Sequence, residues 1–179
     1  MITHDFSRCP RCHSHTKKAK AFNGNESEFW YKCRKCSTYI NTYIPQEHQR
    51  KFHEDSHRYK GNFGGYGSGK TLTSRQELYK HLLISPNTNA LVGAKVVSQY
   101  EQTIKRDIEK DIPADFVAGS SAQKSYIDLI NGARLMFRPL RDPDKLRSYN
   151  LGMYVIVEAS ETPAESFHQL KTRLRNLNS

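Results

Sequence analysis

The chain has 179 residues, 36% of them hydrophobic, and a formal net charge of +10, enough for one medium domain or a small one joined to a larger one. No apolar run approaches the roughly 20 residues of a membrane span, and the opening MITHDFSRCPRC lacks the apolar stretch of a signal peptide; a soluble intracellular protein with no membrane partner is expected. Residues 1–45 hold 8 Lys/Arg against 3 Asp/Glu, and residues 46–179 hold 20 against 15. Such a bias favours polyanionic partners, because neutralising phosphates releases counterions, but it does not say which nucleic acid.

Residues 1–45 read as one small β-rich unit. Cys9-Pro-Arg-Cys12 and Cys33-Arg-Lys-Cys36 bracket a turn signal, Asn23-Gly24, and the strand formers Phe29-Trp30-Tyr31. Two Cys-x-x-Cys pairs separated by twenty residues have the spacing of a four-thiolate zinc site, and disulfides are disfavoured inside a cell. Cys9, Cys12, Cys33 and Cys36 are therefore the metal candidates. With all four positions filled by cysteine no place remains for a catalytic water, so the zinc is structural. His13 and His15 are alternative ligands that read more simply as surface residues. The neighbouring Lys17, Lys18, Lys20, Arg34 and Lys35 suggest a platform for DNA or protein. A further extended run spans 38–45, and polar residues 46–57 form a connecting helix.

From residue 58 the pattern alternates between strands and helices, which argues for a mostly parallel α/β sheet. RYKGNF (58–63) reads as a strand and KTLTSRQELYKHLLI (70–84) as a helix with Leu72, Tyr79, Leu82 and Leu83 on one face. NALVGA (89–94) is a buried strand. Val96, Tyr100, Ile104, Ile108 and Ile112 mark a helix ending before Pro113. YIDLI and RLMFRPL form a hairpin about Asn131-Gly132, and MYVIVEAS (153–160) is a β-branched strand. Thr162-Pro163-Ala164-Glu165 reads as a capping box with proline at the first helical position, opening a last helix striped by Phe167, Leu170, Leu174 and Leu177.

Between the first strand and the first helix of this region lies Gly64-Gly65-Tyr66-Gly67-Ser68-Gly69-Lys70-Thr71, which fits G-x-x-x-x-G-K-[ST]. Successive backbone N–H groups that curl around phosphate oxygens need dihedrals that side chains resist, and a helix starting near Lys70 aims its positive end at the same phosphates. Lys70 would bridge the β- and γ-phosphates of ATP and Thr71 would ligate Mg²⁺. The pattern recurs by chance, so the flanking strand and helix are what make it a P-loop. A hydrolysing P-loop protein also needs a strand that ends in carboxylates. Tyr154–Glu161 is the candidate, with Glu158 at the strand exit and Glu161 as a possible second acid; Glu165 is explained by the capping box.

These residues resemble the large subunit of tailed-phage terminase, the motor that packages viral DNA into a procapsid. The resemblance rests on GGYGSGKT, RLMFRPLRDPDKLRSYNL (134–151), VEASE (157–161) and FHQLKTRLRN (167–176), and it covers roughly residues 58–179. It implies a partial RecA-like ATPase domain over 58–179, preceded by a zinc ribbon over 1–45 and a linker helix over 46–57. It further implies Mg-dependent ATP hydrolysis driving double-stranded DNA, with Lys70 and Thr71 on the nucleotide and Mg²⁺ and with Glu158 activating water. Small terminase subunit and portal are implied partners, a homo-oligomer is implied at full length, and the location is the host cytoplasm, transiently at the portal.

Two departures stand out: Val157 occupies a position usually acidic in the family, and the coupling motif and nuclease domain are absent. Either Mg²⁺ is held through Thr71 and water, or Glu158 takes the metal and Glu161 the water. The first is favoured. Arg147, Arg173 and Arg175 are candidates for an arginine acting on a neighbour's ATP, and none is assigned. Tyr59 or Gln49 could meet adenine. The alternatives to a packaging ATPase, weak in isolation, are a non-hydrolysing nucleotide- and zinc-binding docking module and a helicase-like ATPase.

Overall fold

The computed structural model describes residues 6–175, and the chain separates into two compact units. One comprises the chain up to Ile44 together with Asp107–Val117. The other comprises Pro45–Arg106 and the chain from Ala118 onward.

The first unit is a three-stranded antiparallel sheet, β1 (Thr16–Lys20), β2 (Glu26–Cys33) and β3 (Tyr39–Asn41), in that order. Gly24, at φ 88°, makes the β1–β2 turn, a conformation that costs glycine little. The sheet is too small to bury its own inner face, and residues 107–117 cover it. Phe22 N–H donates to the Ile112 carbonyl (2.8 Å) and Asn23 N–H to that of Glu109 (3.0 Å). Trp30 packs edge-on to Phe116 with centroids 5.4 Å apart. Asp111, fully buried, accepts from the Ser27 hydroxyl (2.9 Å) and from Phe29 N–H (3.1 Å). Removing the side chain costs the Phe29 N–H an acceptor, at about 1–3 kcal/mol, while the Ser27 hydroxyl keeps the Asp111 backbone carbonyl (2.6 Å). Asp111→Ala is therefore expected to lower the unfolding midpoint of this unit, with Asp111→Asn much milder; urea titration followed by the single tryptophan, Trp30, reads both. Equal stability of Asp111→Ala and the parent would refute the role.

The second unit is built on a five-stranded sheet ordered β5-β6-β7-β4-β8, from β4 (Asn89–Ala94), β5 (Val117–Ser121), β6 (Tyr126–Leu129), β7 (Arg134–Pro139) and β8 (Met153–Ile156). β4 runs parallel to both β7 and β8, whereas β6–β7 is the expected antiparallel hairpin, turned by Gly132 at φ 84°. The β4–β7 register pairs Leu91 with Met136 on one face, where they meet Leu140, Leu146, Leu151 and Leu170. It pairs Val92 with Phe137 on the other, where the Tyr100 ring stacks on Phe137 at 6.2 Å. Burial on both faces explains why β4 reads as an unbroken apolar run.

Helices α1 (Glu47–Glu54), α2 (Lys70–Ile84) and α5 (Ala164–Arg173) fall where their sequence patterns put them. The helix expected over 96–112 is split into α3 (Val97–Tyr100), a π-helical stretch (Glu101–Lys105) and α4 (Arg106–Asp111). Several expectations need correcting. Residues 58–63 form no strand and join no ladder of the five-stranded sheet among the described residues. The buried face of α2 carries Thr73, Gln76, Leu78, Tyr79 and Leu82, whereas Leu83 is 41% exposed. Pro163 is the N-cap of α5, one residue after the expected Thr162, and no side-chain cap bond forms. Thr162 Oγ1 is buried without a partner, and Glu165 stands exposed in the first turn, where its charge suits the helix dipole. Leu177 lies outside the described residues.

Candidate functional site

The glycine-rich stretch forms an exposed loop whose last glycine caps α2. Gly67 (φ 75°) and Gly69 (φ 79°) are left-handed, so the loop curls where any other residue would be strained. The Tyr66 ring is fully exposed. Ser68 N–H donates to the Gly65 carbonyl (3.3 Å), and the first intrahelical bond is Thr73 N–H to Gly69 (2.9 Å), so the N–H groups of Lys70, Thr71 and Leu72 precede any intrahelical acceptor. Lys70 folds into the curl, its Nζ donating to the carbonyls of Gly64 and Gly65, both at 2.8 Å. Ser68 Oγ is buried with no hydrogen-bond partner, and a Cβ on Gly64 would lie 2.7 Å from it. An orphaned hydroxyl, helix-end donors ahead of any intrahelical acceptor and an ammonium within the curl of one loop suit a polyphosphate with its Mg²⁺.

Helix α1 props this loop, a role not evident from the polar sequence of 46–57. His48 Nε2 lies 3.2 Å from the Ser68 carbonyl. Gln49 is only 3% exposed; its Oε1 accepts from Gln46 N–H (2.9 Å) and its Nε2 lies 2.5 Å from where a Gly69 Cβ would stand. The helix is clamped to α2 by Glu77, which bonds His53 Nδ1 (2.7 Å) and accepts from Lys60 Nζ (3.0 Å). Burial works to raise the Glu77 carboxyl, but the His53 and Lys60 hydrogen bonds and the Lys60 charge outweigh it and hold the group below its ordinary 4.5. A depressed folded-state value contributes stability that is present above the ordinary carboxylate range and is lost as pH falls through the folded value. Acid below about pH 4.5 is thus expected to loosen the clamp, and Glu77→Gln to flatten that part of the Tm-versus-pH curve. An unchanged acid limb in the variant would remove Glu77 from the account.

The other half of the candidate site lies at the carboxyl end of β8. Val157 N–H makes the last ladder bond, to Gly93 (2.8 Å). The next residue, Glu158, is exposed and left-handed at φ 52°, ψ 56°, a conformation uncommon for a non-glycine residue. It ends the strand and turns the chain into the 159–161 helical turn. Glu161 Oε2 accepts from Gln99 Nε2 (2.7 Å), beyond the carboxyl end of β4. Helix α2 packs against β8, and only four residues, 85–88, link its end to the start of β4. A 15-residue helix is roughly 22 Å long, so α2 must run back against the strand direction. Its amino end and the loop therefore lie at the same sheet edge as Glu158 and Glu161.

The remaining candidates sit as follows. Arg147 pairs with Asp144 (2.8 Å) on the surface. Arg173 Nε is buried without a partner, and Arg175 is exposed, its N–H on the Leu151 carbonyl (2.9 Å). Tyr59 lies between Lys171 (5.4 Å to the ring centre) and Phe167 (6.1 Å). Arg138, not singled out by sequence, braces the 140–151 loop: Nε donates to Tyr149 Oη (2.8 Å) and Nη1 to three backbone carbonyls.

The four cysteines are free and converge, their sulfurs all within 4.8 Å of one another. The nearest pairs are Cys9–Cys36 at 3.6 Å and Cys12–Cys33 and Cys12–Cys36 at 3.5 Å, far beyond a disulfide bond and close to the ~3.8 Å that a tetrahedral zinc with ~2.3 Å bonds imposes. Backbone N–H groups of Lys35 and Cys36 point at Cys33 Sγ (3.4 and 3.5 Å), as at a metal-bound thiolate. Burial pushes the metal-free Cys9 thiol up to about 11, while hydrogen bonds from Thr38 pull Cys36 down to about 6. His13 and His15 do not join the cluster. The four cysteines could bind a metal ion.

The larger unit is a mixed α/β sheet domain of the type found in terminase ATPases. It is similar in fold to the large terminase ATPase domain of Thermus phage P74-26, with a TM-score of 0.60 and 18% identity over 73% of this chain and 62% of that one. The chain belongs to the phage terminase large subunit family, which it matches over residues 56–179. It is also 29% identical over 117 residues to the PBSX phage terminase large subunit of Bacillus subtilis (strain 168), a stretch covering 63% of this chain and 27% of that relative. Among the described residues no helix is long and apolar enough to cross a membrane.

Proposed function

We propose that this chain is the ATP-hydrolysing segment of a viral DNA-packaging motor, with a zinc ribbon over 1–45, a connecting helix over 46–57 and a RecA-like P-loop ATPase domain over 58–179. Family membership supports an ATPase in the general sense. The observation that carries the finer reading is the loop capping α2: left-handed Gly67 and Gly69, an orphaned Ser68 hydroxyl and an ammonium stored within the curl.

In this reading Lys70 leaves the Gly64 and Gly65 carbonyls for the β- and γ-phosphates, so the resting loop keeps its cation where the charge will be needed. The backbone amides from Gly64 to Thr71 and the Ser68 hydroxyl orient the phosphates, and the Thr71 hydroxyl would hold Mg²⁺. Bound Mg²⁺ supplies charge neutralisation at the transferring phosphoryl group. Glu158 accepts a proton from, and aims, the attacking water; Glu161 is the second acid, steadied by Gln99. Positioning and electrostatics carry such a transfer. Double-stranded DNA, a small terminase subunit and a portal are the proposed partners, with the chain acting within a homo-oligomer in the host cytoplasm at the procapsid.

A second reading, a nucleotide- and zinc-binding docking module without turnover, is favoured by Val157, an apolar residue at the strand position where the family usually has an acid. Phosphate release by Glu158→Gln, with ATP binding measured in parallel, separates the two.

A further inference from the structure

The basic residues of the ribbon are sorted by strand register in a way that their sequence positions conceal. Lys17 stands directly across the ladder from Lys32, and Lys18 from Tyr31, while Lys20 faces Glu26. Cross-strand partners share a face and neighbours in a strand alternate, so Lys17 and Lys32 lie on one face and Lys18 on the other. Like charges directly opposite each other destabilise a sheet. One carboxylate serves the pair unequally: Lys32 Nζ is 2.5 Å from Asp115, which also accepts from Tyr39 Oη, while Lys17 acts on the Asp115 charge only through space. Lys17 is exposed and has no hydrogen bond or ion pair among the described residues.

The same face continues toward the zinc knuckles. Arg34 N–H donates to the His15 carbonyl (3.1 Å), and His15 bridges Arg8. Cationic positions thus recur in two tiers, Lys17/Lys32 within the strands and Arg34/Arg8 at the knuckle end just past them. Between the tiers an open pocket of about 570 Å³ is lined by Lys17, Lys32, Cys33, Arg34 and Ser37. Lys17 and Arg34 supply exposed cations there that make no direct ion pair among the described residues, and Ser37 an exposed hydroxyl.

We propose that the knuckle end of this face, beyond the part that Phe116 covers at Trp30, grips the phosphodiester backbone of duplex DNA, with Lys17 and Arg34 on phosphates and Lys32 exchanging Asp115 for a third. A ligand with one anionic group satisfies one tier; a polymer with regularly repeated charge satisfies both. Contacts from Lys17, Lys32 and Arg34 to phosphates carry no sequence information, so the grip is independent of sequence and strongly salt-dependent. The partner's identity rests on the packaging reading above, whereas the surface itself uses no part of the nucleotide site.

The test uses the zinc-loaded full chain and fluorescence anisotropy of a short labelled duplex across a salt series. Each phosphate contact contributes about 0.9 to the slope of log affinity against log salt. The double variant Lys17→Gln/Arg34→Gln is expected to flatten the slope by about 1.8 and weaken binding by on the order of tenfold or more near 0.1 M salt. Lys18→Gln/Lys20→Gln removes the same charge from the other positions and should change the slope much less. Equal effects of the two pairs mean that net charge alone attracts DNA, and overturn the proposal. So does competition by inorganic phosphate at constant ionic strength, which marks a single-anion pocket. Binding of a fluorescent ATP analogue in the same samples keeps the two readings apart: if the chain fails to bind nucleotide while the DNA pattern holds, the ATPase reading falls and this surface stands.

Discussion

Glu158→Gln is expected to lower ATP turnover by about 10²–10⁴-fold while leaving MgATP binding nearly unchanged, because the substitution removes a proton acceptor and little else. The side chain is exposed and holds no structural bond that its amide would lose; the backbone turn at φ 52° tolerates glutamine as it does glutamate. Lys70→Ala differs in kind: it removes the ammonium that pairs with the phosphates, so binding weakens along with turnover. Measured together, phosphate release and nucleotide affinity separate the two roles. Wild-type turnover in Glu158→Gln would sink the assignment. Loss of turnover in Glu161→Gln, with Glu158→Gln acting on Mg²⁺ dependence, would move the water to Glu161, the register left open by Val157.

Stripping zinc, or replacing Cys33 with serine, should unfold the ribbon together with residues 107–117. Four converging thiols and one tryptophan-centred cluster are its main supports, and a structural zinc contributes about 10–16 kcal/mol to such a unit. No comparable reserve exists in a sheet of three short strands. Trp30, 5% exposed against Phe116, reports the loss as a red shift in its emission. Protons compete with the metal for the sulfurs. Cys9, at about 11 without metal, must release its proton when zinc binds, so affinity falls as pH is lowered, steadily through neutrality and further once Cys36, at about 6, is protonated. A chelator that leaves the Trp30 emission unmoved would show that the cysteines are not the keystone.

Much of this molecule was legible in one dimension because its signals are local. The 3.6-residue rhythm of 70–84, the apolar run 89–94 and the Asn131-Gly132 turn specify α2, β4 and the β6–β7 hairpin from a few neighbouring residues each. The two Cys-x-x-Cys knuckles likewise bring their four sulfurs together, and the glycine-rich run ends where α2 begins. One misreading fell where an element needs a partner remote in sequence. Residues 58–63 have strand composition but join no ladder among the described residues; at 162–165 the misreading was local, Pro163 taking the N-cap for which Thr162 has the chemistry.

The deepest difference lies in what closes the ribbon. Amino acid order alone separates residues 1–45 from the helix that ends at Asp111, and nothing in the local pattern joins them. In three dimensions Asp111, Asp115 and Phe116 complete that unit, because a small sheet must bury its inner face and pair its polar groups with whatever chain is brought to it. Register, likewise a tertiary property, decided which lysines share a face. Composition determined that the chain is basic; only the fold decided where that charge is presented, since side-chain direction in a strand follows from pairing and not from order along the chain.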